Sequence, residues 1–299
     1  MALLPALAQA QTEVDAIMMN KNNFCTGIMY GHNSWKNYWE GTLKRDNANL
    51  GTVSSQAIMV MGNYGLKDNL NLLFAVPYIS TKASAGTLAG MSGIQDGSIY
   101  LKWMPVEIKK GNQYFSVYGI AGASTPLTNY VKDYLPLSIG LGSSNFSGRL
   151  MLDYQKGNWF ATASAAYFLR SKVQIDRAAY YTTQMHYTST VQMPNALNLN
   201  LRAGWRSSTL IAEAVLDRFQ SQGGFDISRN NMPFLSNQMN ATRLGVNAKY
   251  TLTSIEGLSF IGNAMFTLEG RNMGQTTSWG AGIFYIIDFN RKQKSDDKK

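Results

Sequence analysis

The stretch from Thr277 to Phe289 constrains this chain more than any other. Trp279, Ala281, Ile283, Tyr285, Ile287 and Phe289 fall on one face of an extended strand. Ser278, Gly280, Gly282, Phe284, Ile286 and Asp288 fall on the other, because successive side chains of a strand point to opposite faces. One face is apolar and carries rings near both ends; the opposite face is small or mixed. Strands of soluble sheets alternate too, but they usually run only about 5–6 residues. A long strand with an apolar face and aromatic ends is built to face lipid between two interfaces.

The pattern recurs along the chain. Leu70, Leu72, Phe74, Val76 and Tyr78 share a face, as do Gly97, Ile99, Leu101 and Trp103. So do Trp159, Ala161, Ala163, Ala165, Tyr167 and Leu169, and then Leu197, Leu199, Leu201, Ala203 and Trp205. Turn-forming groups separate the strands: Gly65-Leu66-Lys67-Asp68-Asn69, Lys109-Lys110-Gly111-Asn112, Lys156-Gly157-Asn158, Arg206-Ser207-Ser208 and Ile255-Glu256-Gly257. Short turns alternate with longer loops. That grammar predicts an all-β, antiparallel up-and-down transmembrane barrel of about 12 strands with both termini in the periplasm.

Composition agrees. No run of about 20 apolar residues occurs between residues 11 and 299, so no helix is expected to cross a bilayer. Only 15% of residues are charged, yet mean hydropathy is slightly negative. Strands apolar toward lipid and polar toward a lumen account for both. Leu3 to Ala10, with Ala8-Gln9-Ala10 as an A-x-A cleavage site, reads as the end of a signal peptide and places the barrel in the outer membrane of a Gram-negative bacterium. The expected organisation is a signal-peptide remnant (1–10), an N-terminal segment (11–23), the barrel (24–289) and a disordered polar tail (290–299).

The faces opposite the apolar rows hold Lys102, Arg149, Asp153, Arg202, Glu213, Asp217, Arg243, Lys249 and Glu269. Arg or Lys in lipid costs about 2–4 kcal/mol at the midplane, so charges should face the lumen. Two readings stay open for them: a ladder of ion pairs filling a narrow barrel, or a polar eyelet that selects small solutes. The longer loops carry Trp35, Tyr38, Trp39, Tyr134, Tyr180 and Tyr181. These either stack on an aromatic or sugar ligand or pack as interfacial and loop aromatics.

Other chemistry is sparse. With His32, His186 and Cys25 as the only imidazoles and thiol, neither a His/Cys metal site nor an internal disulfide is expected. His32-Asn33-Ser34 has a His-x-Ser spacing found in an outer-membrane phospholipase, a remote esterase reading: a nucleophile also needs an orienting third group and an oxyanion site, and no flanking pattern of that family is evident. No enzyme activity and no cofactor are expected. The net charge of +9 is spread out and carries no nucleic-acid motif. Outer-membrane lipid is the expected partner, with a small solute and a protein of a membrane complex as further ones.

Three segments carry a resemblance. Asn63 to Tyr78 resembles the "Y-G-L-T-D-x-L-x-L-x-x-x-x-P-Y" stretch of the meta-pathway phenol-degradation barrels, also called outer-membrane transporters. Gly93 to Trp103 is similar to that family's "G-x-G-D-x-x-L-x-x-K-Y", with Gln95 replacing the second Gly, and Gly140-Leu141-Gly142-Ser143 to its "G-x-G-S". The run Glu269 to Gln275 suggests a Bacteroidota-type member. The resemblance implies a narrow channel or uptake barrel for small, hydrophobic or aromatic compounds. A non-conducting accessory barrel of a larger assembly is the alternative.

Overall fold

The computed structural model describes residues 12–227 and 233–290. Twelve long strands run in chain order: β1 (Asn23–Trp35), β2 (Val53–Lys67), β3 (Leu70–Ala83), β4 (Asp96–Lys110), β5 (Gln113–Pro126) and β6 (Asn145–Lys156). They continue as β7 (Trp159–Arg170), β8 (Asn195–Arg206), β9 (Leu210–Gln222), β10 (Asn240–Thr251), β11 (Leu258–Arg271) and β12 (Thr277–Asp288). Each pairs antiparallel with the next, and β12 pairs with β1 from Asn23↔Asp288 to Ser34↔Thr277. The sheet is thereby closed and leaves no edge, the arrangement that satisfies backbone groups in a solvent without hydrogen bonds.

At one end the strands are joined by short turns. Gly111 and Gly157 open two-residue Gly-Asn loops with φ of 62° and 59°. A positive φ at the first loop position matches the twist of the flanking strands and favours glycine. Longer loops join the strands at the other end, where small hairpins (Asn37–Glu40 with Leu43–Asp46, Tyr180–Tyr181 with Met185–His186) are added. No helix among the described residues is long and apolar enough to cross a membrane.

The apolar rows face outward. Ile28, Leu150, Leu201, Val246 and Ile283 are each more than half exposed. A soluble monomer rarely exposes so continuous an apolar surface. Rings flank the belt: Trp159 meets Trp205 edge-on at 5.3 Å near the short turns, and Tyr30 meets Trp279 at 5.5 Å toward the loops. His32 lies against the same Trp279 ring, on the outward face.

The expected signal-peptide remnant and most of the polar tail lie outside the described residues. Strands extend beyond the alternating segments on which they are anticipated: β3 continues past Tyr78 to Ala83, and β4 runs to Lys110. Trp35, expected in a loop, ends β1, is 5% exposed and points inward.

Candidate functional site

The inward faces of β6 to β10 carry a connected network. Arg202 Nη1 bonds Glu213 Oε1 at 2.7 Å, and Asn247 Nδ2 donates to the same oxygen at 2.8 Å. Arg202 Nε donates to Asn200 Oδ1, while Asn200 and Asn198 both donate to Asp217. Asp217 pairs with Arg243, one strand over. Arg149 donates to Ser164 Oγ at 2.8 Å and to Asn198 Oδ1 at 3.2 Å. Asp153 takes Arg206 at 3.0 Å, and that guanidinium also sits 3.9 Å from the Phe160 ring centre. Such groups lose water on entering the lumen and are tolerated because each meets donors or acceptors.

The structure places Lys102, Arg149, Asp153, Arg202, Glu213, Asp217, Arg243 and Lys249 on the inward face. Glu269 is a correction. The register of β10 with β11 pairs Thr242 with Glu269 but Arg243 with Thr267, so Leu268 is an extra residue. A bulge of one residue breaks the alternation. Glu269 is therefore exposed and level with the outward Thr242, and Arg243 meets Asp217 instead.

Lys102 shows what the strand pattern alone cannot supply. Its cross-strand neighbours are Asn71 and Ile120, neither of them acidic. Its ammonium is fully buried and needs a partner from off the wall. Residues 12–19 provide it by entering the bore. Lys102 Nζ donates to Asp15 Oδ1 at 3.0 Å and to the carbonyls of Thr12, Asp15 and Ile17 at 3.0, 2.6 and 2.9 Å. Asp15 also accepts from the amides of Thr12 and Ile17, and Tyr118 Oη donates to Ala16 O at 3.1 Å. Burial pushes the Asp15 carboxyl up, but the Lys102 ammonium and the Thr12 amide prevail and hold it below the ordinary carboxylate range. Strand periodicity gave no sign of this segment; the unmatched lysine was the one clue.

At the loop end a second closure crosses the bore. Trp35 and Val53 from β1 and β2 join Ala196, Phe219, Met239 and Ala241 from the far side, with Leu137 and Met273 from loops. Tyr38 and Tyr134 pack against this cluster. Trp39 is buried, its ring seated where a Cβ on Gly270 would lie 2.5 Å away. Tyr180 stacks between His186 and Phe234, at 4.9 and 5.1 Å, while Tyr181 is exposed. Apart from Tyr181, then, these loop aromatics pack into the protein itself.

Between the two closures lies a cavity of about 320 Å³. Thr12, Glu13 and Val14 form its floor; Arg149, Asn198, Asn200, Asp217 and Arg243 line one side and Met59, Met61, Leu73 and Met265 another. Arg170 and Phe168, at the loop end of β7, complete it. Arg170 follows the outward Leu169 by one position and so is legible as inward-facing from the alternation, but as a strand terminus it draws no attention.

No family model matches the sequence, and no curated protein matches it either. The fold is similar to the crystal structure of the COG4313 outer membrane channel from Pseudomonas putida F1, with a TM-score of 0.73 and 13% identity over 94% of this chain and 100% of that one. The translocator domain of the autotransporter NalP from Neisseria meningitidis gives a TM-score of 0.47 at 8% identity, covering 91% of this chain and 90% of that one. The NanC porin gives 0.45 at 7% identity, covering 86% and 98%. The first likeness is one of fold.

Proposed function

We propose that this chain is an outer-membrane channel of a Gram-negative bacterium that passes small solutes through a central chamber. Its short-turn end and termini face the periplasm, and residues 12–19 act as a plug that must leave the bore for passage. One observation carries the reading: the lumen is not filled by wall side chains. It holds a cavity of about 320 Å³ with one polar and one apolar side, stopped at the short-turn end by residues 12–19, not by a strand. A segment that is no part of the strand wall can withdraw without opening the barrel. The meta-pathway resemblance adds hydrophobic or aromatic compounds as the expected cargo. The chain carries out no chemistry on them.

A second reading has its own support. The apolar cluster joining Trp35 and Val53 to Phe219 and Met239 crosses the bore at the loop end, as it would in a non-conducting accessory barrel held in a larger assembly. Planar-bilayer conductance and liposome swelling decide between the two. The refolded protein should give small, infrequent openings, and a variant without residues 12–19 larger and sustained ones. Silence from both proteins refutes the channel and leaves the accessory barrel.

A further inference from the structure

One wall of the chamber carries two arginines that no carboxylate pairs with among the described residues. Arg202, Arg206 and Arg243 are matched by Glu213, Asp153 and Asp217. Arg149 and Arg170 are not: among the described residues, neither forms an ion pair with a carboxylate. The Arg149 guanidinium donates to the uncharged oxygens of Ser164 and Asn198. That of Arg170 lies 5.4 Å from the centre of the Phe219 ring. Both arginines line the same cavity.

Their positions follow from the register. Arg149 stands opposite Ala166 and Asn145 opposite Arg170, so the two arginines are on adjacent strands and four residues apart along them. At about 3.3 Å per residue that is roughly 13 Å between their backbones, with long side chains reaching into one space. Three carboxylates share that space. Asp217 is engaged by Arg243, and Asp96 accepts from Tyr130 at 2.6 Å. Glu13 sits on the plug, at the floor, away from Arg170. At the loop end of the chamber Arg170 is thus a half-buried cation that makes no ion pair among the described residues, a state that an anion would complete.

The rest of the chamber describes the remainder of that anion. Phe168 and Phe219 flank Arg170, and Met59, Met61 and Met265 face the space from across the barrel. A guanidinium whose flat face rests on a ring keeps its edge donors free for the two oxygens of a carboxylate. The cavity is at the small end of ligand sites, which span about 300–1,000 Å³.

We infer that the chamber is a binding site for a small organic monocarboxylate with a compact apolar body. Its carboxylate is held by Arg170, with Arg149 as the next station toward the floor, and its body lies against the phenylalanine and methionine side chains. This deepens the channel reading and rests on it only for the route of entry.

Calorimetry on the refolded protein in detergent tests it, with benzoate and benzyl alcohol as probes. Benzoate should bind at least tenfold more tightly than benzyl alcohol. Arg170→Gln should weaken benzoate at least tenfold and leave benzyl alcohol unchanged. Arg170→Lys should recover part of the loss, since a lysine keeps the charge without the fork. Lys109→Gln, at the exposed short-turn end of β4, should change nothing. Unboiled gel mobility verifies that each variant is folded; if Arg170→Gln does not fold, the benzoate to benzyl alcohol ratio of the wild type decides alone. Equal affinity for both probes, no binding of either, or an unaltered Arg170→Gln overturns the inference. Benzoate flux into vesicles, measured in parallel, separates this from the channel reading. Binding without flux removes the channel and keeps the site; flux without charge-dependent binding does the reverse.

Discussion

Replacing Lys102 by methionine should unlatch the plug. The ammonium holds three backbone carbonyls and the Asp15 carboxylate of residues 12–19. Methionine fills similar space but donates nothing. Removing one partner of a buried ion pair costs about 3–5 kcal/mol, because the other charge is left buried and uncompensated. Withdrawal of the plug returns Asp15 to water, so this penalty falls on the closed state alone. At about 1.36 kcal/mol per factor of ten, the closed-to-open ratio should fall by roughly two to nearly four orders of magnitude. The barrel itself should persist, since its strand pairing does not involve the plug. An Ala16→Cys probe in a Cys25→Ser background reports the opening through its labelling rate with a membrane-impermeant maleimide. Ala16 is buried when the plug is seated. We expect labelling to be slow with Lys102 present and at least about a hundredfold faster with methionine, in step with the open population. Equal rates in two variants that are both folded by gel mobility would refute the latch.

Further expectations concern pH, selectivity and insertion. Because the Asp15 pKa lies below its ordinary value, its contribution to the latch is complete above the ordinary carboxylate pKa of about 3.9 and is lost only as pH falls through the lowered value. Wild-type conductance should therefore be flat between about pH 7 and 5 and rise only in stronger acid; a change confined to neutral pH would assign the latch to another group. Arg243→Gln leaves Asp217 less compensated and should move the reversal potential toward cation selectivity, while Glu213→Gln should move it the other way, since charges in a narrow pore act at close range. Shifts of the same sign would show that these residues do not line the path. Leu199→Arg should lower folding into vesicles by about 2–4 kcal/mol, as it puts a cation on the lipid face, whereas Leu199→Ile should be near neutral. Similar folding yields for both would mean that Leu199 does not face lipid. The closed sheet should also make the unboiled protein migrate differently from the boiled one in detergent gels; identical migration would speak against a barrel.

The sequence by itself determined the barrel. A period of two is a local property, so Leu199, Leu201 and Ala203 declare the lipid face without reference to any partner strand. The inward placement of Lys102, Arg202 and Asp217 follows by parity, as each sits one position from an apolar row. Parity fails where the count breaks. One extra residue at Leu268 carries Glu269 out of the lumen, and a bulge is decided by pairing with β10, not by β11 alone. Trp35 reads as a loop residue until β1 is seen to pair through Trp35↔Val53. What only the tertiary structure decided are the contacts between parts distant along the chain. Asp15 reaches Lys102 across 87 positions, and Arg170 borders a cavity whose other walls come from β2, β3 and β11. Residues 12–19 have no periodicity of their own to show where they lie. Their place is fixed by a charge on the wall that the wall cannot neutralise.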